Sequence, residues 1–80
     1  MGRWEATLRS VLSAEQDNGM RFDELCNLLR RMGFEEHIRG SHHLYQRAGF
    51  APINLQPVQG MAKSYQVRQV RKALKDGGVS

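Results

Sequence analysis

Apolar residues recur at helical spacing near the start of the chain. Trp4, Leu8, Val11 and Leu12 predict a first helix over residues 3–13. A polar stretch, 14–19, follows and ends at a turn signal, Asn18-Gly19. Phe22, Leu25, Cys26, Leu29 and Met32 predict a second amphipathic helix over 22–32. Asp23 and Glu24 near its start and Arg30 and Arg31 near its end suit the helix dipole, and Gly33 is placed to close it. The period then changes. Residues 34–39 and 43–47 read as short strands, and 51–57 alternates around Ile53 and Leu55 until Pro57 closes it. A loop over 58–64 leads to a last helix, 65–78. Tyr65, Val67, Val70 and Leu74 lie on one side of it, Arg68, Arg71, Lys72 and Lys75 on the other, and Gly77 ends it. The order α-α-β-β-β-α predicts a two-layer α+β domain, with helices on one face of an antiparallel sheet.

The hairpin between the first two strands fixes the facing of its residues. Gly40-Ser41 suits a two-residue type II′ loop, because glycine takes the positive φ at the first loop position. Arg39 then pairs with His42, Ile38 with His43, His37 with Leu44 and Glu36 with Tyr45. Cross-strand partners share a face, and successive residues alternate. Phe34, Ile38, His43 and Tyr45 therefore point toward the helices, and His37, Arg39, His42 and Leu44 point away.

Length and charge narrow the partners. Eighty residues make one small domain with a thin core. No apolar run approaches the ~20 residues of a membrane span, and no membrane association is expected. A single cysteine, Cys26, excludes an intrachain disulfide, and the expected location is the cytoplasm. The net charge is +4, unevenly spread. Residues 1–20 hold two bases and three acids, 21–36 three and four, and 37–80 seven and one. A basic second half suggests a polyanion-binding face; a solvated Lys/Arg helix surface is the plainer reading.

The two adjacent histidines split in this register. His43 reads as a structural residue at the edge of the core. His42 is an outward imidazole beside the Arg39 guanidinium. An imidazole titrates near neutrality, so it can take or give a proton at pH 7, though an inert surface histidine fits the same position. No paired cysteines or HxxxH spacing supply a metal set, and none is expected.

Residues 21–77 carry a Leu-rich helix, Gly33 followed by Phe34, the sequence Gly40-Ser41-His42-His43, and a basic closing helix. Together these resemble the HicA-type toxins of bacterial toxin–antitoxin systems. The resemblance implies an α-β-β-β-α core like a double-stranded-RNA-binding domain over residues 21–80, with residues 1–20 as an added N-terminal helix. It implies metal-independent cleavage of mRNA, without a cofactor, neutralised by a HicB-type antitoxin. It places the proton-transferring histidine at His42, directly after the Gly40-Ser41 turn. Arg39 is then assigned to the phosphate, and Ser41, Lys63, Arg68, Arg71 and Lys72 to RNA binding.

Many members of that family carry a further histidine near the end of the third strand. Here the region reads Gln56-Pro57-Val58-Gln59-Gly60, and glutamine transfers no proton at neutral pH. His37, on the same face as His42 and diagonal to it, is a candidate replacement. Gln56, Gln59, Gln66 and Gln69 are candidates for hydrogen bonds to RNA. A non-catalytic RNA-binding module and a protein-interaction domain remain as alternative readings.

Overall fold

The computed structural model describes residues 3–15 and 17–80; Met1, Gly2 and Gln16 lie outside that description. Three helices and three strands follow in the predicted order: α1 (Arg3–Ser13), α2 (Phe22–Arg31), β1 (Glu35–Arg39), β2 (His42–Gln46), β3 (Ile53–Leu55) and α3 (Ser64–Asp76). The sheet is antiparallel in the order β1-β2-β3. All four predicted hairpin pairs are present, from Arg39 opposite His42 to Glu36 opposite Tyr45. Gly40 takes φ +58, while Ser41 is not among the positive-φ residues, as a type II′ turn requires.

The helices cover one face of the sheet. Tyr45, Ile53 and Leu55 reach a core shared with Leu25, Cys26 and Leu29 of α2 and Val67, Val70 and Leu74 of α3. Val11 of α1 is fully buried in that same core, and Trp4 and Leu8 pack against it. The N-terminal helix is thus part of the domain's packing. A second tie joins it to α3. The Arg71 guanidinium donates to the Val11 carbonyl at 3.1 Å and to both Asp17 carboxylate oxygens at 2.8 and 3.1 Å.

Four expectations change. β3 is shorter than predicted: Pro52 cannot donate to a ladder, and beyond Leu55 the Gln56 N–H and C=O both bond to the Gln66 side-chain amide, at 3.3 and 2.8 Å. Ile38 lies on the helix-facing side but is 55% exposed, because the helices cover the edge strand β1 less than its neighbours. Tyr65 is 58% exposed rather than in the core, at the start of α3. The loop after β3 contains a tight turn. Val58 and Met61 exchange two backbone hydrogen bonds across Gln59 and Gly60, both at positive φ, the signature of a type I′ turn.

The end of α3 also differs in detail. The left-handed residue is Gly78, φ +96, and Gly77 keeps an ordinary φ of −87. Gly77 is required for another reason: a Cβ there would overlap the Phe50 ring. Gly77→Ala should cost about 1–3 kcal/mol through overpacking. Chemical denaturation would read this as a lower midpoint with an unchanged slope; an unchanged midpoint would show that Phe50 moves aside freely.

Candidate functional site

The uncovered face of the sheet is polar. From β1 it carries Glu35, His37 and Arg39, from β2 His42, Leu44 and Gln46, and from β3 Asn54. The β2–β3 register pairs His43 with Leu55 and Leu44 with Asn54. Continued one residue, it sets Gln56 opposite His42. His42 therefore stands in the middle strand, with Arg39 on one side and Gln56 on the other.

A cleft of about 190 Å³ opens beside it, lined by His42, Asn54, Gln56, Tyr65 and Gln66. Its far wall is the start of α3. The first turn of α3 contains no acidic side chain, whereas Glu5 opens α1 and Asp23 and Glu24 open α2. The positive end of the α3 dipole is thus uncompensated, and Lys63 adds a charge at its N-cap. An exposed imidazole, a guanidinium on the next strand and an acid-free helix start make a setting for an anion with a transferable proton nearby.

The remaining assigned residues divide. Arg39, Ser41, Lys63 and Arg68 are exposed. Arg68 approaches Asp17 no closer than 3.9 Å. Lys72 pairs with Asp76 at 2.9 Å, but both side chains are well exposed, and such a pair opens at little cost. Arg71 is engaged within the fold. Its guanidinium is clamped by Asp17 and the Val11 carbonyl, and its side chain is 14% exposed. The hydrogen bonds from Arg71 hold the Asp17 carboxyl below its ordinary range. Gln66 is likewise structural, being buried against the backbone of Gln56. Gln59 forms half of the type I′ turn. His37 shares the face of His42 but bonds to Glu35 at 2.7 Å and lies across β2 from the cleft, so the structure does not bring it to the same pocket.

Beneath the sheet a second polar group is gathered. Glu36 accepts from the Tyr45 hydroxyl at 2.5 Å and from Arg30 at 3.1 Å. Together these hold its carboxyl below the ordinary range, the Tyr45 bond most strongly. His43 Nδ1 lies 4.0 Å from the same carboxylate, buried and without a hydrogen-bond partner, while its ring meets Phe22 edge-on at 5.0 Å. Cys26 Sγ, a Glu36 oxygen and a His43 nitrogen fall within 4.8 Å of one another. These are metal-ligating atom types. The Arg30 guanidinium already neutralises the carboxylate, however, and burial pushes the Cys26 thiol up, toward its protonated form. Tyr45, Glu36 and Arg30 form a hydrogen-bonded support under the hairpin that carries His42, and His43 and Cys26 pack beside it.

Of the residues around this cleft, the sequence singled out His42, Arg39 and Gln56, passed over Asn54 and set Tyr65 in the core. The proximity of Asn54 and Tyr65 to His42 depends on the β2–β3 register, which the six residues between those strands conceal.

Among the described residues, no helix is long and apolar enough to cross a membrane. No family model, no curated protein and no solved structure matches the chain, so none of them identifies the HicA type.

Proposed function

We propose that the chain is a metal-independent endoribonuclease that cuts mRNA. In this reading it acts in the cytoplasm as a HicA-like toxin with a double-stranded-RNA-binding-domain-like core, and a HicB-type antitoxin neutralises it. The observation that carries the reading is the exposed His42 set between Arg39 and the cleft, at an acid-free helix start.

RNA brings its own nucleophile. His42 takes the proton of a ribose 2′-OH, and the 2′ oxygen bonds to the adjacent phosphorus. The bond from phosphorus to the 5′ oxygen breaks, and that oxygen takes a proton from the imidazolium or from water. The products are a 2′,3′-cyclic phosphate and a free 5′-hydroxyl. Arg39 contacts the phosphate oxygens as charge builds on them. No step needs a metal, so cleavage of mRNA should continue in EDTA; RNA left intact by the wild-type chain would sink the proposal.

The basic stripe of α3 extends the site. Arg68 and Lys72 lie on the exposed side of the helix, one and two turns beyond Tyr65. Each should contact one phosphate. Arg68→Ala or Lys72→Ala should then reduce the slope of log affinity against log salt by about 0.7–0.9. Arg71→Ala should instead lower the melting temperature, because it releases Asp17 and Val11. Fluorescence anisotropy at several salt concentrations checks the slopes; values unchanged in both variants would remove α3 from the RNA path.

A further inference from the structure

The cleft beside His42 holds more chemistry than proton transfer uses. Tyr65 presents its ring at the mouth, 58% exposed, although it begins a helix whose other apolar residues are buried. The buried Gln66 amide donates to the Gln56 carbonyl at 2.8 Å and lies 3.4 Å from the Tyr65 hydroxyl oxygen. One side chain thus bonds to the end of β3 and reaches the ring's hydroxyl. Two primary amides, Asn54 and Gln56, line the same cleft with exposed side chains. Each offers two donors and an acceptor, the complement of a heterocycle's edge. Gln66 cannot do the same, because its amide is occupied by the Gln56 backbone.

We infer that this cleft is a subsite for one unpaired nucleobase, which stacks on Tyr65 and presents its edge to Asn54 and Gln56. The inference rests on the ribonuclease reading and names its substrate class: single-stranded RNA, or the loops of folded RNA. Two physical arguments support it. A base cannot lie on Tyr65 while stacked and paired in a duplex, whereas an extruded base offers a π-face to any aromatic platform. Attack by the 2′ oxygen also requires it to lie in line with the departing 5′ oxygen. The regular A-form backbone does not provide that geometry, and anchoring an unpaired base next to His42 lets the ribose turn into it. Tyr65, Asn54 and Gln56 are therefore positioning residues for the sugar and phosphate on which His42 acts.

The test uses the whole chain and uncleavable probes: a short 2′-O-methyl-oligouridine, the same backbone without bases, and a 2′-O-methyl duplex. Wild type should bind the oligouridine more tightly than either of the others. Tyr65→Ala should weaken oligouridine binding roughly 5- to 150-fold, the range for loss of one stacked base. It should leave binding to the base-free strand unchanged, and Tyr65→Phe should bind like wild type. Circular dichroism melts confirm that the variants fold. Equal affinity of wild type for duplex and single strand would overturn the inference. So would Tyr65→Ala binding oligouridine as wild type does. If Tyr65→Ala spares RNA affinity and instead breaks a complex with an antitoxin protein, the ring belongs to a protein interface and the inference also fails. Cleavage of RNA by wild type alongside any of these results would leave the ribonuclease reading standing; absence of both binding and cleavage would remove the two together.

Discussion

Replacing His42 with Ala is expected to slow RNA cleavage by about 10²- to 10⁴-fold, the usual contribution of a positioned acid–base group. The melting temperature should stay where it is. His42 is exposed, opens a strand and fills no part of the core, so its removal leaves no cavity. Its neighbour should behave in the opposite way. His43 packs its ring on Phe22 and approaches Glu36 from the helix side. His43→Ala should therefore lower the melting temperature and leave the cleavage rate of the folded fraction near wild type. The pair of measurements separates two adjacent residues of the same type by the face each one occupies. If His43→Ala removes activity without affecting melting, the assignment of the two imidazoles is reversed.

The second large effect falls on stability. Glu36 gathers the Tyr45 hydroxyl and the Arg30 guanidinium, and Tyr45 is fully buried. Glu36→Ala leaves that hydroxyl without its acceptor and Arg30 without its partner. A hydrogen bond to a charged group is worth about 1.5–3 kcal/mol, so the melting temperature should drop on the order of 10 °C for a domain of this size. Acid should reproduce part of the loss. The folded-state pKa of Glu36 is depressed, chiefly by the Tyr45 hydrogen bond. Its contribution is then complete above the unfolded carboxyl value, about 4.3, and is lost as pH falls through the lower folded value. Glu36→Gln keeps an acceptor for Tyr45 and cannot titrate. Its melting temperature should start below wild type at pH 7 and fall less steeply below pH 4. Parallel wild-type and Glu36→Gln curves across that range would show that Glu36 does not couple folding to pH.

The hairpin was legible because a two-residue loop leaves one register. Once Gly40 and Ser41 occupy the turn, the facing of eight neighbours follows by alternation, and the structure keeps every pair. The same rule already placed Glu36 with Tyr45 and Ile38 with His43 on the helix side. The Glu36–Tyr45 contact could have been foreseen there, had the carboxylate not suggested a solvent position. Cys26 could not be added, because its approach depends on how α2 crosses the sheet. Charge misled at Arg71. A guanidinium on the polar side of an amphipathic helix looks free until a distant acid reaches it, and Asp17 lies 54 residues away. Gln66 misled in the same way, since nothing local shows that its amide closes the end of β3. The candidate site was therefore half legible. His42 and Arg39 follow from local pairing, whereas Asn54, Gln56 and Tyr65 meet them only through long-range packing.

The role of His42 in activating a ribose hydroxyl is tested most directly by one comparison in EDTA. Wild-type chain is incubated with an RNA that it cuts and with a copy carrying a single 2′-deoxy nucleotide at the cut position. Activation of the 2′-OH by His42 predicts cleavage of the first, with a 2′,3′-cyclic phosphate at the new end, and no cleavage of the second at that position. Cutting of the deoxy linkage, or loss of cutting once divalent metal is removed, would contradict it.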